Sequence, residues 1–260
     1  MKRSITIVFT LILAMFFSYN YNASAKSDNL SVGTLNAAVE APEESIQSRI
    51  MDAFMSAYFD KNNSEIESII DELSDSYEDS GNKIFLYWKG YALYYNSVAY
   101  LQNRKAVKSN GQMTQGIELL ESIENKNSDD YALLSLLHSF SCLFTGFPAI
   151  LETYEKCSDC AEKALELDNN NIRAYYALAT YDMYSGGKNV EKYLLKSLAI
   201  KKPKSKDPYL PTWGREEIYG LLTSYYIKEK KFAKAREYLD LGLKEFPNSY
   251  TLQENQSKLK

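Results

Sequence analysis

From Glu43 to Phe246 apolar residues recur every three or four positions, and no stretch alternates convincingly with a period of two. That spacing is the signature of amphipathic α-helices rather than strands. Ile46, Ile50, Phe54 and Tyr58 form a first stripe and Ile66, Ile69, Ile70 and Leu73 a second, split at Lys61-Asn62-Asn63. The pattern continues through Phe85–Tyr100, Met113–Ile123, Tyr131–Phe144, Ile150–Leu167, Ile172–Tyr184, Val190–Ile200, Glu216–Lys228 and Phe232–Phe246. Most breaks are short and polar or carry glycine, which forces consecutive helices to lie side by side. Residues 43–260 are therefore expected to form one all-α domain of about five antiparallel helix pairs. The break at Gln102–Gln112 reads as unusually long.

The pairs repeat. Glu216 to Ser249 spans a 34-residue unit, with Tyr219, Leu222, Thr223 and Tyr226 on its first helix and Phe232, Ala235, Leu239, Gly242 and Pro247 on and after its second. This resembles the tetratricopeptide repeat and its W-x2-L-G-x2-Y, A-x3-F, P pattern. Small Ala235 and Gly242 allow close approach of the helices, while Tyr219, Leu222 and Leu239 fill the seam. A second copy runs from Cys157 through Ala161, Ala164 and Leu167, closed by Asn169-Asn170-Asn171. A third has Tyr175, Leu178 and Ala179, then Val190, Leu194, Leu198 and Pro203, with Gly186-Gly187 at its turn. The matching units lie between about 150 and 250. Trp88, Tyr91, Ala92 and Tyr95 keep the same intervals earlier in the chain.

The resemblance implies a right-handed superhelical solenoid whose first helices line a concave, ligand-binding face. The Gly-Gly turn and the Pro211-Thr212-Trp213-Gly214 segment are similar to exported tetratricopeptide proteins, including the periplasmic T-component associated with TRAP-type solute transporters. Fifteen residues, Lys201 to Arg215, interrupt the repeats and are expected to form a surface loop.

At the N-terminus Met1-Lys2-Arg3, the uncharged run Ile5 to Phe17 and Ala23-Ser24-Ala25 follow the layout of a secretory signal peptide, residues 1–25. A bilayer span needs roughly 20 apolar residues, and Ser18-Tyr19-Asn20 cuts this run short. No cysteine precedes Cys142, so the site has nothing to acylate. Residues 26–42, rich in Ser, Asn and small residues, read as a flexible leader ending at Pro42. Loss of Lys2 and Arg3 leaves 28 basic against 34 acidic residues, a formal charge of −6. That balance favours neither nucleic acid nor an anionic bilayer. The expectation is an exported protein, periplasmic or secreted, without stable membrane insertion.

Catalytic and metal chemistry is poorly provided for. The single histidine, His138, sits in an apolar run with no second ligand nearby, and zinc wants three or four. Cys157 and Cys160 form a C-x-x-C, but inside an amphipathic helix rather than after a strand, so packing or a local disulfide is expected over redox catalysis. Asp168-Asn169-Asn170-Asn171 lacks the glycine and distal glutamate of a calcium loop and reads as an inter-repeat turn. Asp71, Glu72, Asp75, Glu78 and Asp79 read as a solvated face. Lys201, Lys202, Lys204 and Lys206 serve solubility, with docking of an acidic partner the sharper alternative. No cofactor, metal or enzyme activity is expected.

The 22 tyrosines exceed what seams consume. With Tyr175 and Leu178 assigned to the seam, the adjacent helix face presents Arg173, Tyr176, Thr180, Met183 and Tyr184; the same offsets in the last repeat give Glu217, Ser224, Ile227 and Lys228. Arg173, Tyr176, Thr180, Met183, Tyr184, Ser224, Ile227 and Lys228 are the expected partner-binding residues, suited to an extended peptide or an amphipathic ligand. Packing against the next pair, or a fold-back of the Lys201–Arg215 loop, would take that stripe out of use. The function expected is a scaffold or adaptor binding a protein segment in the cell envelope. The alternative is a carrier holding a small apolar ligand in a chamber beside a transporter, distinguished by a closed cavity instead of an open groove.

Overall fold

The computed structural model describes residues 45–201 and 207–259. The stretches expected to be signal peptide and leader, and Lys202, Lys204 and Lys206, lie outside the described residues. Within them the chain forms eleven helices and no strand: α1 (Ile46–Phe59), α2 (Ser64–Ser80), α3 (Ile84–Gln102), α4 (Ala106–Ser122), α5 (Ser128–Ser141), α6 (Ala149–Leu167), α7 (Ile172–Ser185), α8 (Val190–Ala199), α9 (Arg215–Lys228), α10 (Phe232–Glu245) and α11 (Tyr250–Ser257). The ten helices expected are all present. Two boundaries differ from the sequence reading. The break expected at Gln102–Gln112 shrinks to Asn103–Lys105, because Ser97 and Ser109 hydrogen-bond one another across α3 and α4 and need the extra turn at the start of α4. An eleventh helix, α11, follows Pro247, its start capped by the Ser249 hydroxyl accepting from the Leu252 amide.

Side-chain caps explain several starts. Asn127 accepts from the Asp129 and Asp130 amides while Asp130 reaches back to the Asn127 amide, opening α5 with a capping box. Asn171 does the same half of this work for α7, which places Asp168–Asn171 in the turn between α6 and α7.

Packing follows a simple rule. Each even-numbered helix lies against the two odd-numbered helices that flank it in sequence, and each odd-numbered helix also packs on the next odd one, from α1–α3 through α9–α11. Helix-pair packing is thus continuous along the chain. The odd row also bends back on itself, since the rings of Tyr58 and Phe59 at the end of α1 meet Tyr250 of α11, with centroids 6.4 and 5.0 Å apart. Buried apolar residues gather in a large cluster over α1–α5, including Trp88, Tyr91 and Leu137, and a second over α7–α10, including Leu194, Leu222 and Tyr226.

The seam residues of the last repeat are buried: Ala235, Leu222, Leu239 and Tyr219. Gly242 permits the close approach directly, because a Cβ there would stand 2.9 Å from the Tyr219 Cβ and 3.0 Å from the Leu252 Cδ1. Ala235→Leu overfills this seam and is expected to destabilise the fold by about 1–3 kcal/mol; an unchanged midpoint of denaturant unfolding would refute the seam assignment.

Candidate ligand-binding site

The site is set by the face of the odd-numbered helices opposite their even partners. On α7, Tyr176, Thr180 and Tyr184 stand one turn apart on one side, and together with Tyr94 of α3, Leu136, Ser139, Phe140 and Leu143 of the α5 region and Leu221 of α9 they line a partly open cavity of about 150 Å³. Four successive odd-numbered helices contribute to one wall. Its rings are locked by their neighbours: Tyr94 lies edge-on to Phe140 at 5.6 Å and to Tyr95 at 5.1 Å.

The segment preceding α9 packs beside this wall through Trp213 and is not, over residues 207–214, the free surface loop the sequence suggested. Trp213 is only 3% exposed. Its indole Nε1 donates to the Tyr87 hydroxyl at 2.7 Å, and its ring packs against Tyr91 and Tyr176. The Gln47 carbonyl oxygen Oε1 accepts from the Thr212 and Trp213 amides at 2.9 and 3.0 Å, and Trp88 Nε1 donates to the Tyr209 carbonyl at 2.8 Å. Burial of a large indole supplies the driving force, and the polar handles of Gln47 and Trp88 satisfy the loop backbone that this burial would otherwise strand. Gly214 turns the chain into α9 at φ 119°, a conformation that L side chains rarely adopt.

Arg173, expected to face a partner, is a clamp on this segment. Its guanidinium pairs with Asp129 at 2.7 Å and donates to the Trp213 and Pro211 carbonyls at 3.2 and 3.3 Å. Tyr176, Thr180 and Tyr184 do share the cavity wall. Met183 does not: it is buried in the second apolar cluster. None of the three α9 positions lines the cavity. Ser224 donates to Asn255 of α11 at 3.2 Å, Ile227 packs on the second cluster, and Lys228 is exposed with its Nζ donating to the Met183 carbonyl. α11 covers this side of α9, so the α7 offsets cannot be carried over: a Cβ on Gly220 would meet Thr251 at 3.0 Å. On α9 it is Leu221 that lines the cavity.

Sequence reasoning missed Tyr94, Leu136, Ser139, Phe140, Leu143 and Leu221. Tyr94 and Tyr95 flank the recognisable Trp88-Tyr91 interval, and that adjacency was the available signal.

Glu217 lies at the start of α9, one turn from the cavity-lining Leu221. Its Oε2 accepts from the Gly214 amide at 2.7 Å. Burial pushes its carboxyl up to about 7, the neighbouring Glu216 charge adds to this, and the Gly214 amide and the Arg173 guanidinium oppose it. Burial also raises the hydroxyls of Tyr91, Tyr94, Tyr95 and Tyr176, with Glu217 contributing to each. These phenols stay neutral at physiological pH.

The remaining chemistry-bearing groups are tied to packing. Cys142, Cys157 and Cys160 are unbridged thiols, so the local disulfide is not formed; burial pushes them up to about 12, 11 and 12. Such thiols are poor nucleophiles. Ser135 donates to the Cys157 carbonyl at 2.7 Å, anchoring α5 to α6. His138 is buried, pushed down to about 4 chiefly by that burial, and hence neutral, with Nε2 3.6 Å from Glu121. Asp71, Glu72, Asp75, Glu78 and Asp79 are exposed, and Glu72 pairs with Arg49. Among the described residues no group of three His, Cys, Asp or Glu could hold a metal, and no helix is long and apolar enough to cross a membrane. No family model, curated protein or solved structure matches this chain.

Proposed function

We propose that the chain is an exported, non-catalytic binding protein, a right-handed superhelix of tetratricopeptide-like pairs that takes up a compact apolar group in the chamber between α3, α5, α7 and α9. The observation that carries this reading is the 150 Å³ aromatic cavity walled by four odd-numbered helices. A cavity of about that size accommodates a benzene-sized group. Of the two functions considered from the sequence, the geometry favours the small-ligand carrier over the adaptor for an extended segment, because Trp213 and its flanking residues already lie along α1 and α3, where such a segment would run. Export rests on the layout of residues 1–25, and the non-catalytic assignment on a neutral buried histidine and high-pKa thiols. An adaptor role is retained in one form, a partner that presents a single aromatic anchor to the same cavity.

The test is saturable binding of p-cresol by the chain from Lys26 onward, followed by protein-observed NMR and by unfolding. At a ligand concentration about 100 times Kd the fold gains about 2.7 kcal/mol. Thr180→Phe fills the cavity and is expected to abolish binding at retained stability. Absence of saturable binding to the unaltered chain refutes the small-ligand reading.

A further inference from the structure

The cavity wall carries hydroxyls and no charge. Among the described residues that line it, none is Lys, Arg, His, Asp or Glu, whereas Tyr94, Ser139, Tyr176, Thr180 and Tyr184 each bring a hydroxyl. An ionised ligand would leave water for a wall without a counter-charge, so the wall selects a neutral one. Two of the hydroxyls define the polar group that ligand should carry. Thr180 donates its only proton to the Tyr176 carbonyl at 2.9 Å, so toward a ligand its oxygen can only accept. The Tyr176 phenol is hydrogen-bonded to Thr180 as well, but a hydroxyl oxygen has two lone pairs and one stays open. The Tyr94 hydroxyl, by contrast, has no protein hydrogen-bond partner among the described residues. It is not sealed off either, since the buried side-chain oxygen left without a partner among them is that of Thr223. Tyr94 therefore opens onto accessible space, and the space it lines is the cavity. Burial raises its pKa well above the usual phenol value, so it stays protonated and can donate.

Resting on the small-ligand reading, we infer that the cavity recognises an uncharged phenol, its hydroxyl accepting from Tyr94 and donating to Thr180, its ring seated against Leu136, Phe140, Leu143 and Leu221. A hydroxyl is the group that answers both walls at once. A ketone or ether would answer only Tyr94, and a plain hydrocarbon ring neither. The cavity of about 150 Å³ holds little more than one ring, so a polar group on that ring stays close to both side chains. The donor and the acceptor are also held before the ligand arrives. Tyr94 is wedged edge-on between Phe140 and Tyr95, and Thr180 is fixed by its bond to the helix backbone. Little side-chain freedom remains to be lost on binding.

The probes are p-cresol and p-fluorotoluene, which share a shape while fluorine replaces the hydroxyl and cannot donate. p-Fluorotoluene is the more apolar of the two, so a wall that reads apolar surface alone prefers it. Calorimetry on the chain from Lys26 onward is instead expected to show p-cresol binding about tenfold more tightly. Tyr94→Phe removes a hydroxyl without a protein partner, so the unfolding midpoint is expected to hold while the preference for p-cresol falls at least about threefold. Thr180→Val keeps the β-branched shape, removes the acceptor and should reduce the preference in the same way. Affinity for p-fluorotoluene should be retained in both variants, which separates loss of a hydrogen bond from collapse of the cavity. p-Cresol that binds no more tightly than p-fluorotoluene, or a preference that survives intact in either variant, overturns the phenol assignment and leaves the apolar reading standing. p-Cresol that does not bind the unaltered chain removes the small-ligand reading and the phenol assignment with it.

Discussion

Trp213→Ala is expected to cost the fold about 3–5 kcal/mol, the range for truncating a large buried aromatic side chain, and to lower the thermal midpoint by on the order of 10 °C. The substitution removes more than one packing contact. The indole is almost fully buried against Tyr91 and Tyr176, and its Nε1 satisfies the buried Tyr87 hydroxyl, which would be left without that donor. The loop backbone around it also loses its reason to stay on Gln47. Denaturant unfolding followed by far-ultraviolet circular dichroism measures the loss. A change below about 1 kcal/mol, ordinary for an exposed position, would mean that the segment before α9 does not hold the first and last helix pairs together.

Arg173→Ala is expected to cost about 3 kcal/mol, because it strands Asp129 and leaves the Pro211 and Trp213 carbonyls without their donor. Asp129 retains one partner, the Asn171 amide at 2.6 Å, which keeps the loss at the low end for a broken buried pair. Arg173→Lys should recover only part of it, since an ammonium cannot reproduce a planar fork that reaches a carboxylate and two carbonyls at once. Arg173 and Trp213 touch through the same loop, so the double variant should lose less than the sum of the two. Strict additivity would show that the clamp and the indole act independently. An Arg173→Ala variant of full stability that has lost a ligand would return this residue to the partner-binding role its position in the sequence suggested.

Much of the architecture was legible in the chain itself. The three-and-four spacing that runs from Ile46 to Phe246 marks every one of the ten expected helices, because an amphipathic helix in water has one way to hide its apolar stripe. Ala235 and Gly242 announced a close seam, since only small side chains let two helix backbones approach. Asn171 announced a helix start, since its side chain caps two orphan amides. These are local or nearest-neighbour facts, and the residues that cause them lie within one repeat.

The binding site was legible only in part, for the same reason. Tyr176, Thr180 and Tyr184 follow from one helix's periodicity, and the sequence placed them together. Met183 escaped because a helix face has soft edges: one residue from Tyr184, it turns into the apolar cluster over α7–α10. Ser224 escaped because α11, unforeseen after Pro247, lies on the face that its spacing exposed. The chamber itself brings Tyr94, Phe140, Tyr176 and Leu221 together across more than a hundred residues of chain. Glu217 acquires its raised pKa only when the chain folds around it.

The chain by itself determined its helices, their pairing and the small residues at their seams, because each depends on contacts a few residues to a few turns away. The tertiary structure alone decided that Trp213 and its neighbours dock on α1 and α3, that Arg173 clamps this segment, and that Tyr94, Phe140, Tyr176 and Leu221 line one cavity. Those outcomes depend on how far the row of odd-numbered helices bends before Tyr58 meets Tyr250. Packing between helices far apart in the chain sets that bend, and no single stretch of sequence carries it.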